Sequence, residues 1–323
     1  MARPNDSDLE NEWEEKRKIT NLLWKIVKTT MSGLTWKTRI SSPNPSVTTT
    51  ADQALEASKK LPVIKSDHVF KTSDGELLLV FLKGGLYRPW RQEVHEELDK
   101  RIQTSLHDLL KDYPVPQPKQ TDVRHSKHNE KSTGYTDYGL YHLCCWKAQG
   151  HSQEPPVLSE DIIADGHTLN SVWNFCKTMT PITPIISLLF GAIDRDSWTQ
   201  YHTNYNCILQ DTALKAIHTS GRACFLGLSV VVNMALGPHK DSNDVKDGWV
   251  AMICTGNFTG GNLVLPALEA QLEHTPGDVV FFRSTVLEHY LAAFEGERVA
   301  MVSLSMDDTF QQRLQQKIEL PKR

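Results

Sequence analysis

His239 and Asp241 stand two residues apart in "ALGPHKDSNDVKDG", just past the apolar run "CFLGLSVVVNM". Side chains on an extended segment alternate with a period of two, so these two face the same side and converge on one point. Two neutral imidazoles and one carboxylate make a facial triad that leaves positions open on Fe(II) for a substrate and for oxygen. His289 in "VLEHYLAAF", 48 residues after Asp241, is the candidate for the second imidazole. Arg298 follows nine residues later, at the start of "RVAMVSLS". A buried guanidinium there can hold a planar carboxylate through paired hydrogen bonds. A 2-oxoglutarate molecule needs that anchor at one end while its keto-acid end meets the metal. His-x-Asp alone arises often by chance as a surface turn. The ordered set of strand, His-x-Asp, further strands, His and Arg carries the signal.

The other histidines, at 68, 95, 107, 125, 128, 142, 151, 167, 202, 218 and 274, have no comparable partners in the sequence. Surface or capping roles are expected for them.

Such a set needs a rigid frame. From Cys224 the chain runs through short apolar segments at close spacing: "WVAMICTG", "GGNLVLP", "GDVVFFRS", "EHYLAAF" and "RVAMVSLS". Gly, Pro, Asn and Asp punctuate them, which predicts a double-sheet jelly roll over about residues 222–306. Earlier segments read as helices packed against it. Asp8 to Thr30 is amphipathic, Asp52 to Lys60 is a short helix candidate, and Arg88 to Tyr113 has apolar residues at helical spacing. Leu169 to Phe190 is helical but interrupted by Pro181 and Pro184, and Asp196 to Gln210 follows it. Asp74-Gly75 between two apolar runs is a hairpin signal. Ser41 to Thr50 reads as a connector, and Asp308 to Ile318 as a final helix. The expected class is α+β. Residues 1–140 form a helical N-terminal region with the hairpin and a flexible basic loop at about 114–134. Residues 141–323 form the core with its supporting helices.

The bulk composition is that of a globular chain. It has 323 residues, 39% hydrophobic and 23% charged, enough for a sizeable core. A net charge of −4 announces no global basic field, although a local basic groove is enough to meet a polyanion. No apolar run of signal-peptide or membrane-spanning type is read in it. The six cysteines include no Cys-x-x-Cys pair, so a zinc ribbon is not expected and buried free thiols are.

The stretch "HKDSNDVKDGWVAMICTGNFTGGNLVLP", followed by "PGDVVFFRSTVLEHYLAAFEGERVAMVSLS", resembles the catalytic core of Fe(II)/2-oxoglutarate dioxygenases. It is most similar to the fungal branch of the TET/JBP group, which oxidises modified or methylated bases in DNA. The resemblance covers roughly residues 222–306 and, less specifically, the helical part between about 165 and 215. It implies a double-stranded β-helix, iron on His239, Asp241 and His289, and the 2-oxoglutarate carboxylate on Arg298. It also implies that the position three after the metal-binding Asp, here Asp244, touches the target base. The implied substrate is double-stranded DNA with a flipped methylated base, which places the protein in the nucleus.

The chemistry of Asp244 narrows the base. A carboxylate accepts a hydrogen bond that cytosine N4 or adenine N6 donates, whereas thymine presents the acceptor O4. The expected reaction is therefore oxidation of 5-methylcytosine to 5-hydroxymethylcytosine and further, with demethylation of N6-methyladenine also open. A solvated turn or capping role is the alternative for Asp244. The group usually carries an aromatic and a His six and eight residues past the 2-oxoglutarate Arg; here those positions are Leu304 and Met306. The cysteine-rich zinc region of the animal enzymes is missing. Phosphate contacts are expected from Lys240, Lys246, Lys119, Arg124, Lys127 and Lys131. Three other functions stay open: a 2-oxoglutarate oxygenase for a protein side chain or small molecule, a Lewis-acid hydrolase, and a non-catalytic DNA-binding module. The last two leave Arg298 or the complete triad without a task.

Overall fold

The apolar runs "VVFF", "VAMICT", "VAMVSL" and "GLSVVV" fold as four adjacent strands of one sheet in a computed structural model, which describes residues 38–40, 56, 59–88, 92–116, 138–147, 155–208 and 224–310. The first part of the chain contributes β1 (Thr38–Ile40), β2 (Val63–Ile64), β3 (His68–Thr72), β4 (Leu77–Leu82) and α1 (Gln92–Asp112). Next come β5 (Gly139–Trp146), β6 (Val157–Leu158), α2 (Glu160–Ile163), α3 (Gly166–Thr178), α4 (Thr183–Ile193) and α5 (Arg195–Ile208). The remainder is mostly strand, with a 3-10 turn at Pro266–Leu268: β7 (Gly227–Val232), β8 (Val250–Thr255), β9 (Phe258–Gly260), β10 (Leu263–Leu265) and β11 (Ala270–Leu272). It ends with β12 (Val279–Phe282), β13 (Tyr290–Leu291), β14 (Phe294–Gly296) and β15 (Val299–Leu304).

The large sheet has the order β1-β3-β4-β12-β8-β15-β7-β5-β6. It is antiparallel apart from the β1–β3 pair. A smaller sheet, β13-β10-β11-β2, faces it, and β14 pairs with β9. Side-chain alternation divides the core into two layers. Ala251, Ile253, Phe281 and Met301 pack on one face with Phe175, Ile185 and Phe190 of the helices. Met252, Phe282, Ala300 and Leu304 pack on the other face with Leu263 and Leu272 of the small sheet. Strands buried on both faces have no polar stripe to show, which is why β8 and β12 read as unbroken apolar runs. Each fully buried aromatic or aliphatic side chain contributes about 1.5–3 kcal/mol.

The sheet is wider than the 222–306 stretch. The hairpin at Asp74-Gly75 forms β3 and β4, with Gly75 at a φ of +98° where a side chain would be strained. β4 then pairs along β12, and β5 pairs along β7. The described part before residue 140 is thus strand as well as helix. These pairings cover edges of the central strands that would otherwise leave backbone groups unbonded. They join residues roughly 200 and 90 apart in sequence, so local periodicity could not display them.

The interrupted helical stretch is two helices, α3 and α4, bent by 56° across a break containing Pro181. Asp165 caps α3 by accepting from the backbone N–H of His167 at 2.8 Å and of Thr168 at 2.9 Å. All six cysteines are free. The chain turns helical again by Phe310. The expected helix at Asp8 to Thr30, the connector at 41–50, most of Asp52 to Lys60 and the loop from residue 117 onward lie outside the described residues.

Candidate metal centre and substrate cavity

The triad is assembled by backbone as much as by side chain. His239 N–H donates to the His289 carbonyl at 3.1 Å, and His289 N–H donates back to the His239 carbonyl at 3.0 Å. This two-residue bridge, outside the named strands, fixes the imidazoles with ring centroids 4.4 Å apart. Asp241 is set by its own N–H, which donates to the Ser284 carbonyl at 3.2 Å. Ligand atoms of His239, Asp241 and His289 all lie within 4.8 Å of one another.

The tautomers suit a metal. Nδ1 of His239 lies 2.7 Å from the Gly237 carbonyl, and Nδ1 of His289 lies 3.0 Å from the Leu287 carbonyl. A carbonyl only accepts, so each Nδ1 carries a proton and each ring turns its Nε2 inward, the nitrogen that a neutral imidazole offers to a metal. Those two Nε2 atoms sit 3.6 Å and 3.5 Å from the Asp241 carboxylate oxygens. A divalent cation placed between the two Nε2 atoms and the carboxylate would satisfy all three groups. Backbone carbonyls behind ligating imidazoles are the usual orienting partners in such sites. Phe282 packs edge-on against His289 at 4.8 Å.

The triad lines a cavity of about 540 Å³, a size suited to small ligands. Arg298 lines the same cavity and is 3% exposed. Its Nη2 donates to Nδ1 of His274 at 3.2 Å, while its Nε has no partner. Burial and the adjacent guanidinium hold the His274 pKa well below the ordinary value, so that ring is neutral and accepts. Phe258 covers the guanidinium, 5.2 Å from its ring centre. No carboxylate among the described residues pairs with Arg298. A buried guanidinium without an anion is costly, and a ligand carboxylate in the cavity would complete it. Asn233 holds the Arg298 backbone: Arg298 N–H donates to Asn233 Oδ1 and Asn233 N–H donates to the Arg298 carbonyl, both at 2.9 Å. Asn233 has a φ of 48°, a left-handed conformation that Asn tolerates better than most residues.

Asp244 lines the cavity and is buried. Its Oδ2 accepts from Ser284 Oγ at 2.7 Å rather than capping the turn that follows. Burial, and then the charge of Asp241, push its pKa up to about 7, against a lowering by Ser284. Asp244 is bridged to Met306, and Val245 N–H donates to the Ser305 carbonyl at 3.0 Å. The loop carrying His239 and Asp241 is therefore tied to the end of β15. Its far end is tied by Tyr201, whose hydroxyl accepts from Trp249 N–H at 3.0 Å and donates to the Trp249 carbonyl at 3.2 Å.

The sequence missed part of this wall. His142, for which a surface or capping role was expected, lines the cavity together with Trp146, and both come from β5. Only the period-two alternation of β5 could have flagged them, and that alternation does not say which face looks into a site. His274, for which a surface or capping role was also expected, is fully buried against Arg298, and Asn233 likewise acts through Arg298; neither contact has a local mark in the sequence. Leu304 and Met306 line the cavity as apolar groups. Lys240 and Lys246 are exposed on the loop that carries His239 and Asp241. Lys119, Arg124, Lys127 and Lys131 lie outside the described residues.

These features define a 2-oxoglutarate–Fe(II) oxygenase fold with a His-x-Asp…His metal triad. No family model matches the sequence, and no curated protein matches it. Among solved structures, the chain is similar to NgTET1 in complex with 5mC DNA, with a TM-score of 0.54 and 16% identity, covering 94% of this chain and 99% of that one. It is also matched to a 2OG-Fe(II) oxygenase-family oxidoreductase from Burkholderia pseudomallei, with a TM-score of 0.36, 11% identity and coverage of 84% and 94%. A third match is OsALKBH1, with a TM-score of 0.36, 12% identity and coverage of 70% and 96%. The NgTET1 likeness shows a TET/JBP-like dioxygenase fold. Together with the triad, that fold supports Fe(II) and 2-oxoglutarate as the cofactors.

Proposed function

We propose that this chain oxidises the methyl group of a modified base in double-stranded DNA, with 5-methylcytosine as the main substrate and N6-methyladenine as the second. The observation that carries the reading is Asp244, a buried carboxyl on the wall of the cavity that also holds the triad and Arg298. The DNA-bound state of NgTET1, on the same fold, supports it.

His239, Asp241 and His289 hold the metal, and Arg298 holds the far carboxylate of 2-oxoglutarate. Fe(II) with 2-oxoglutarate and O₂ supplies the oxidation, converting 2-oxoglutarate to succinate and CO₂ as a C–H bond is hydroxylated. The protein orients the two reactants and keeps water out. Leu304, Met306 and Phe282 make the wall apolar near the reacting groups. With its pKa pushed up to about 7, Asp244 is half ionised at neutral pH, and it is the ionised form that accepts the exocyclic N–H of cytosine or N6-methyladenine and disfavours thymine, whose O4 is an acceptor. A hydroxylated 5-methyl group is stable, whereas a hydroxylated N6-methyl group releases formaldehyde. A base inside a duplex must be flipped out to enter, at a cost of a few kcal/mol. Lys240, Lys246 and the basic loop with Lys119, Arg124, Lys127 and Lys131 are assigned to the phosphates, and nuclear DNA to the target.

The test is nucleoside mass spectrometry after incubating the full chain with Fe(II), 2-oxoglutarate and duplexes bearing 5-methylcytosine or N6-methyladenine. Hydroxymethylcytosine, or loss of the N6-methyl group with formaldehyde, is the expected result. Neither product above the level of an Asp241→Ala control would overturn the reading.

A further inference from the structure

A base held for oxidation needs a flat surface against its ring as well as a partner at its edge. Asp244 gives the edge partner, but Leu304 and Met306 offer no aromatic face. The strand register shows what stands beside them. Leu304 on β15 pairs with Gly227 on β7, which pairs with Cys144 on β5; Val302 pairs with Ser229, which pairs with His142. Residues in register on neighbouring antiparallel strands point to the same face. Gly227 leaves no bulk between its neighbours. A Cβ there would lie 2.5 Å from Cys144 Sγ and 3.3 Å from Leu304 Cδ1.

His142 and Trp146 flank Cys144 on that face of β5, while Tyr141 and Leu143 enter the opposite core layer. Their ring centroids are 5.4 Å apart with planes tilted by 46°. Neither is closed into the core: both are half-buried and line the cavity with Asp244. His142 is anchored from the side. Its backbone N–H donates to Asp161 Oδ2 at 2.7 Å, its Nδ1 lies 3.9 Å from the same oxygen, and Tyr113 donates to Asp161 Oδ1 at 3.2 Å.

We infer that His142 and Trp146 hold the target base, Trp146 stacking on its ring and His142 donating to an acceptor on its edge. The inference rests on the base-oxidation reading. Its chemistry complements Asp244: cytosine presents O2 and N3 acceptors beside the N4 donor, and an imidazole N–H is the donor they require. The aromatic surface that β15 lacks is then supplied two strands away on the same face, where Cys144 fills the space above Gly227. The pair sets specificity and position, and the metal triad carries the oxidation.

Steady-state oxidation of a duplex bearing 5-methylcytosine tests it, using the full chain with Fe(II) and 2-oxoglutarate and a melting temperature for every variant. Trp146→Ala should lower kcat/KM for the duplex about tenfold or more, chiefly through KM, as expected for loss of one base–aromatic stack. Trp146→Phe should recover to within about threefold of the wild type, and Trp146→Leu should not, because the stack needs a π-face. His142→Gln, which keeps a donor, should retain more activity than His142→Leu. A Trp146→Ala enzyme within about twofold of the wild type, or a Leu variant that recovers as fully as Phe, would overturn the inference while leaving base oxidation intact. A wild-type chain inactive on both methylated bases overturns the parent reading, and this inference with it.

Discussion

His239 and His289, fifty residues apart, exchange both of their backbone hydrogen bonds and turn their Nε2 atoms toward the same carboxylate. The bridge links the loop after β7 to the segment before β13, so the metal site sits where the two sheets meet. Because both Nδ1 protons are held by backbone carbonyls, ring orientation is set before any metal arrives. Losing a group that orients a ligand costs about 10- to 100-fold in metal affinity, and losing a ligand itself costs more. Anaerobic Fe(II) titration should therefore show a fall of more than about a hundredfold for Asp241→Ala and for His289→Ala. Affinity within tenfold of the wild type in either variant would remove that residue from the metal site.

Arg298 should discriminate shape as well as charge. Its guanidinium is buried and carries an unbonded Nε. Lysine keeps the charge but lacks the planar fork that meets a carboxylate with two hydrogen bonds. Arg298→Lys is expected to raise the KM for 2-oxoglutarate about 10- to 100-fold, in the range for loss of one hydrogen bond to a charged group. Asn233→Ala should raise it by a smaller factor, because Asn233 holds only the Arg298 backbone.

Asp244 gives a pH signature in the metal-free protein. Its folded pKa is raised from 3.8 to about 7 by burial and by Asp241, so between those values the folded state holds more protons than the unfolded state. Stability from this group therefore falls as pH rises through that window, by at most about 1.4 kcal/mol per pH unit. Asp244→Asn should flatten the fall between pH 4 and 7 and raise the melting temperature near neutral pH. A metal-free Asn variant that melts below the wild type at pH 7 would contradict this account of the site's electrostatics.

Tyr201 should matter to the loop without touching the cavity. Its hydroxyl satisfies both the N–H and the carbonyl of Trp249. Tyr201→Phe leaves those buried groups unpaired, at a cost of about 1–3 kcal/mol in urea-induced unfolding. A loss below about 0.5 kcal/mol would mean that water or a neighbour replaces the hydroxyl.

The sequence displayed best the features that repeat locally. Period-two faces, apolar runs between turn residues and the Asp74-Gly75 hairpin all appeared as strands; the run at Leu169 to Phe190 appeared as one interrupted helix, which the structure divides into two. The triad was legible because His-x-Asp on an extended segment has one geometric consequence, and the distant His supplied the third ligand. The wider sheet was not legible, since β4–β12 and β5–β7 pairing joins segments with no local mark of their partner. His142 and Trp146 were hidden similarly: a half-buried His on a strand looks like a surface His until its face is known. Asp244 is the intermediate case, where the sequence located a carboxyl and only packing shows that it is buried in the cavity rather than capping a turn.

The most direct measurement is succinate formed from 2-oxoglutarate in air, counted against oxidised bases, with methylated and unmethylated duplexes of one sequence. The account predicts about one succinate per hydroxylation, formation several-fold faster with the methylated duplex, and background levels for Asp241→Ala. Succinate that forms equally with both duplexes and without any oxidised base would contradict it.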